Sequence, residues 1–215
     1  MSPVVEIEIW TDVVCPWCYI GKRRMDSAVA AYPGDVTVTY RAYQLDPTPV
    51  REPQPLVDAL AAKFGGPEQV TAMTSRVTDI AAADGLRLDF SRAVAANTFD
   101  THRLIRWAGS HGRQAELLEA AHRAHFTDGV DLNSHDALAG LAAEMGLDAA
   151  SARAYLASSD GADEVRAEFA AARELGVSSV PTFVLAGKYA VVGAQDSATL
   201  LAALEQVARR EAAAA

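Results

Sequence analysis

The chain has 215 residues, half of them apolar, so it can bury a sizeable core without disulfide staples. Its formal net charge is −9 and no basic stripe interrupts that balance, which excludes a nucleic-acid footprint. No stretch approaches the roughly 20 apolar residues that span a bilayer, and Met1 to Glu8 has neither a basic n-region nor an apolar h-region. The sequence therefore predicts a cytoplasmic protein with no membrane contact, in a compartment where thiols are kept reduced.

The elements follow in chain order. Val5, Ile7 and Ile9 alternate with Glu6 and Glu8, the pattern of a half-buried strand. Tyr19 to Ala31 has helical composition and stops at the turn signal Tyr32-Pro33-Gly34-Asp35. Val36, Val38 and Tyr40 alternate with Thr37, Thr39 and Arg41, a second strand. A helical crossover of this length predicts that the two strands pair in parallel. Prolines 47, 49, 53 and 55 mark an exit loop.

From Leu56 to Leu175 the signal is helical. Val70, Met73, Val77, Ile80 and Ala81 mark one apolar face, with Gly85 as its stop. Leu138, Leu141, Ala142 and Met145 mark another, with Ser134 as N-cap and Gly146 beyond its end. Val165, Phe169 and Ala172 mark a third, ending near Gly176. Such stripes read as core rather than as a cofactor site. Val180 to Ala186 is a strand, Gly187-Lys188 a tight turn and Tyr189 to Val192 its antiparallel partner. A helix with Leu200, Leu201, Leu204 and Val207 on one face closes the chain, and the tail Ala212 to Ala215 is expected to fray.

The chemistry lies at Cys15-Pro16-Trp17-Cys18, which holds the only two cysteines. Two thiols at this spacing can close a small disulfide ring. Where a strand runs into a helix N-terminus, the free backbone N–H groups favour a thiolate on the leading cysteine. That setting reads as a redox motif. The same spacing is half of a tetrahedral zinc site, but no second pair completes it and His102, the nearest histidine, is far downstream. An inert thiol pair is the third reading. No metal is predicted, and His111, His122, His125 and His135 read as helix-surface or loop residues.

Beyond that motif, the segments Trp10 to Gly21, Asn97 to Leu104, Gly129 to Leu132, Val180 to Val184 and Gly193 to Gln195 carry a resemblance. The chain resembles DsbA-family thioredoxin-fold proteins of the FrnE-like, cytosolic branch. That branch is itself similar to 2-hydroxychromene-2-carboxylate isomerases and kappa-class glutathione transferases. The resemblance implies an α/β, thioredoxin-like fold in two pieces, residues 1–55 and 176–215, with an all-helical domain inserted over 56–175. It implies that Cys15 is the nucleophile and that Cys18 resolves the mixed disulfide. It further implies that Pro181 is cis and faces the cysteine pair, and that Pro16, Trp17, Val180, Asn97 and His102 help to line the substrate cleft. Thr101 departs from the alanine common in relatives. The plainer reading of His102 is a hydrogen-bonded histidine between domains, the sharper one a proton shuttle near Cys15.

The function this predicts is thiol-disulfide oxidoreductase or disulfide isomerase chemistry on a disulfide-containing protein or a small-molecule thiol. No tightly bound cofactor is implied, and glutathione enters at most as a co-substrate. The alternative is a glutathione-dependent isomerase or transferase. Such relatives commonly carry a lone serine where Cys15 stands, so the retained pair favours redox chemistry. A binding module using the cleft is a third class, which nothing in the residues favours.

Overall fold

The structure is a computed structural model, and it describes residues 4–214. Met1 to Pro3, part of the segment read for a leader, lie outside that range. Strand β1 (Val5–Thr11) buries Val5, Ile7 and Ile9 on one face and turns Glu6 outward, as its alternation predicts. Helix α1 (Pro16–Ala31) crosses over to strand β2 (Val36–Ala42), which pairs in parallel with β1 in the register Ile9 to Tyr40. Strands β3 (Thr182–Leu185) and β4 (Tyr189–Val192) form the closing hairpin. β3 pairs antiparallel with β1, so the sheet order is β2-β1-β3-β4.

Helices α2 (Leu56–Phe64), α3 (Pro67–Ala83), α4 (Phe99–Gly109) and α5 (Gln114–Arg123) follow β2. A single π-helical turn (Ala124–Asp128) extends α5, and α6 (His135–Glu144), α7 (Ala149–Ala157) and α8 (Ala162–Glu174) complete the block before β3. The last helix, α9 (Ser197–Ala214), packs beside α1. The fold is a thioredoxin-like sheet interrupted by a helical insertion. One apolar cluster runs from Ile7, Ile9 and Phe183 in the sheet into Leu104, Leu118 and Leu138 of the helical block and Leu204 of α9. A second joins Tyr19 and Ile20 of α1 to Leu56, Val77, Leu86 and Phe126. Helix α1 thus meets both cores, its start packing into the second through Tyr19 and Ile20 and its later turns into the first through Met25 and Ala28.

Two expectations are corrected. Met73, read as part of the buried face of α3, is exposed, whereas Val77, Ala81 and the half-buried Ile80 of the same helix meet the second cluster. Helix α9 continues to Ala214, through the tail for which the sequence predicts fraying; Ala215 lies outside the described residues.

Candidate active site

The site forms where β1 ends. Asp12, Val13 and Val14 turn the chain, and Cys15 takes the N-cap of α1, its amide donating to Asp12 O at 3.1 Å. Pro16 occupies the first helical position, where a missing N–H costs nothing. The Cys18 amide donates to Cys15 O at 3.0 Å, placing Cys18 one turn inside. Trp17 points outward and is 39% exposed. Both cysteines are free thiols, 5% exposed at Cys15 and 1% at Cys18, so the leading sulfur is the more accessible of two buried ones. Burial, then the hydrogen bond and charge of Cys15, push the Cys18 thiol up, against a weaker opposing pull from the Asp12 amide and the Thr11 hydroxyl.

The wall facing Cys15 comes from the far end of the sequence. The Val180–Pro181 bond is cis, and Cys15 Sγ donates to Val180 O at 3.7 Å. The loop is held by Gly193 N donating to Pro181 O (2.8 Å) and by the Thr182 hydroxyl donating to Ser179 O (2.7 Å). Gly21, one turn beyond Cys18, lets Pro181 sit this close. A Cβ at Gly21 would lie 2.7 Å from Pro181 Cγ and 3.3 Å from Phe183 Cζ.

The floor holds a residue that sequence reasoning missed. Asp12 is fully buried between β1 and the cysteines. Its amide donates to Cys18 Sγ at 3.4 Å, its Oδ2 accepts from Leu45 N at 2.8 Å, and its Oδ1 lies 3.3 Å from His102 Nε2. Glu6 and Glu8 precede it in the same run, so its charge alone gave no local signal of burial.

Residues 6–205 match the DSBA-like thioredoxin domain. The chain belongs to that family. A probable DsbA oxidoreductase from Streptomyces coelicolor is 41% identical, with a TM-score of 0.88 over 94% of this chain and 89% of that one. A 2-hydroxychromene-2-carboxylate isomerase shares the fold at 18% identity, TM-score 0.71, over 98% and 99% of the two chains. The cytosolic disulfide reductase DsbM from Pseudomonas aeruginosa, also solved with GSH, shares it at 23% identity, TM-score 0.63, over 95% and 98%. The C-x-x-C pair of this DSBA-like domain and the oxidoreductases it resembles indicate an enzyme of the thiol-disulfide oxidoreductase type.

The remaining sequence-derived residues fall into two groups. His102 reaches the site floor, hydrogen-bonded to Asp12 as its plainer reading expects. Asn97 does not bring free polar atoms. Its Oδ1 accepts from Gln44 Nε2 (2.9 Å) and Phe99 N (3.1 Å), and its Nδ2 donates to Pro47 O and Thr48 O (3.1 and 3.2 Å). It ties the proline loop to the start of α4.

His122 and His125 are a correction, because both are fully buried rather than on a surface. Leu118, His122 and His125 recur at helical spacing, so the histidines continue the inward face of α5 into the π turn. His122 Nδ1 donates to Val13 O at 3.1 Å, and its ring stacks on Tyr19 at 4.9 Å. Both ring nitrogens of His125 lack a hydrogen-bond partner among the described residues. Burial pushes His122 down to about 3 and His125 to about 4, so both are neutral at pH 7.

Proposed function

We propose that the chain is a thiol-disulfide oxidoreductase that works through a mixed disulfide on Cys15. The observation that carries this reading is the placement of Cys15 Sγ at the N-cap of α1, 3.7 Å from Val180 O, with Cys18 one turn behind. The Cys15 thiolate attacks one sulfur of a substrate disulfide, forming Cys15–S–S–R and releasing R′–S⁻. Cys18, as thiolate, then attacks the Cys15 sulfur and releases R–S⁻. The substrate gains two electrons, the pair loses two, and the two thiol protons end on the released thiolates. Two equivalents of a thiol such as glutathione return the pair to its dithiol form. The same steps in reverse oxidise a substrate dithiol, and stopping at the mixed disulfide permits isomerisation.

In this reading residues 1–55 and 176–215 carry the chemistry, 56–175 cover it, and Pro16, Trp17, Val180 and Pro181 form the rim that a substrate meets. A cytoplasmic setting suits two cysteines kept free. A glutathione transferase has no use for a resolving thiol, and Cys18 is held in place by the Asp12 amide. Insulin reduction measured beside glutathione conjugation tests the assignment. Reduction that requires both cysteines supports it, and conjugation that survives Cys18→Ser at full rate while reduction is absent overturns it.

A further inference from the structure

Strand β1 ends between two neighbours. On its β3 side stands the Val180–Pro181 wall that Cys15 faces. On its β2 side, Thr11, Arg41, His102, Arg106 and Glu168 line a small cavity. About 10 Å³ of it is open to the centre of a water, room for one molecule. Arg41, Arg106 and Glu168 also line an open cleft of about 1210 Å³, so the cavity borders solvent on the side away from the wall.

Asp12 joins the thiols to this cavity. Its amide N–H, part of the Thr11–Asp12 peptide, lies 3.4 Å from Cys18 Sγ, and its Oδ1 lies 3.3 Å from His102 Nε2. With the carboxylate as acceptor, Nε2 carries the ring's hydrogen and Nδ1 keeps a lone pair. The other titratable and charged groups around the pair are Tyr40 and Arg41 of β2, Arg106 of α4 and Glu168 of α8. His125 of the π turn feels the charge of Asp12 and is neutral at pH 7.

We propose that His102 takes the proton Cys18 must lose to resolve the mixed disulfide, by way of the Thr11 hydroxyl and one water in this cavity. The proposal rests on the mixed-disulfide reading of Cys15. Burial and Cys15 hold Cys18 as a thiol, which is a poor nucleophile, and the Thr11 hydroxyl pulls the other way. A substrate joined to Cys15 covers the mouth, which leaves the cavity as the polar way out. Cys18 S–H gives up its proton as its sulfur bonds to that of Cys15; the Cys15–S–R bond breaks and R–S⁻ leaves. The proton rests on the imidazole, whose charge the Asp12 carboxylate offsets, and reaches R–S⁻ through the cleft and solvent. Cys15 makes no use of this route, because its sulfur faces Val180 O on the opposite side.

The two steps can be timed apart with one equivalent of dithiobis(nitrobenzoate), a symmetric aryl disulfide with a coloured thiolate. The first thiolate appears when Cys15 attacks, the second when Cys18 resolves. His102→Gln keeps a donor for Asp12 but cannot take a proton, and Thr11→Val keeps the shape without the hydroxyl. At pH 7 each should slow the second step about a hundredfold and leave the first unchanged. From about pH 7 to 9 the variants' second step should quicken about tenfold per pH unit, as Cys18 thiolate is populated. The parent rate should change far less over that range, and Thr11→Ser should restore the parent profile. A second-step profile like the parent's in either His102→Gln or Thr11→Val overturns the relay, as does equal slowing of both steps. If the parent itself releases no thiolate, the mixed-disulfide function falls and the relay with it.

Discussion

At the scale of single residues, the two cysteines differ in ways that can be measured separately. Cys18 is pushed up by burial and by Cys15, and its sulfur already accepts the Asp12 amide. Alkylation at neutral pH should therefore modify Cys15 first, with Cys18 reacting only at higher pH or after unfolding; mass mapping of a limiting iodoacetamide reaction reads the order. Cys18→Ser should accumulate mixed disulfides, whereas Cys15→Ser should form none; labelling of Cys18 ahead of Cys15 would reverse their roles. Gly21 gives a second test. Its missing side chain is what admits Pro181, so Gly21→Ala should force the loop or the helix to shift. Overpacking of this kind costs about 1–3 kcal/mol, visible in urea unfolding. Disulfide exchange at Cys15 should slow in the same variant, since Val180 moves with Pro181.

The buried histidines make a residue-level prediction about pH. Their folded values, about 3 for His122 and about 4 for His125, lie below the ordinary histidine range. The unfolded chain thus binds protons that the folded chain refuses. Stability from these rings is complete above about pH 6.5 and is lost as pH falls through that value towards 4. The slope reaches about 1.4 kcal/mol per pH unit for each histidine. His125→Leu should flatten the dependence of the urea midpoint on pH in that window, and an unchanged slope would contradict the assignment.

At the scale of elements, α6 shows how a local signal becomes a helix. Ser134 Oγ accepts from Ala137 N at 3.3 Å, the capping bond that its place before an apolar stripe predicts. Ser134→Ala should cost about 1 kcal/mol of stability by thermal or urea unfolding and leave Cys15 chemistry unchanged. The strands, the crossover, the closing hairpin and this cap were legible because each rests on a period or a turn residue close in sequence. The cysteine pair was legible for the same reason. The floor was legible only in part. His102 was named through the family resemblance, whereas Asp12 lies in the turn after β1, and nothing local marks an aspartate that will face inward. Met73 shows the converse error, since its place on the α3 stripe says nothing of whether a partner surface exists opposite it.

At the scale of the whole molecule, β2 is one of the two edges of the sheet, and the helical block closes it. Gln114 of α5 accepts from Tyr40 N (3.1 Å) and donates to Tyr40 O (3.0 Å), as a neighbouring strand would. Glu168 of α8 accepts from Ala42 N at 2.7 Å. This edge is thus occupied by side chains in place of a fifth strand, which blocks pairing with another copy along β2. Gln114→Ala, Glu168→Ala should unmask it and raise self-association at high protein concentration, measured by light scattering, while a scattering profile like that of the parent chain would show that the edge is guarded otherwise.

The contact between Cys15 and Val180 spans 165 positions of sequence. A ribosome adding about 5–20 residues per second needs roughly 8–30 s between emitting the two. Through that interval β1 lacks its β3 neighbour, and the nascent cysteines have no wall in front of them. For that time the pair is open to any oxidant or thiol nearby, in whatever order it happens to meet them. The reactivity that the finished fold directs is present, undirected, for most of the chain's synthesis.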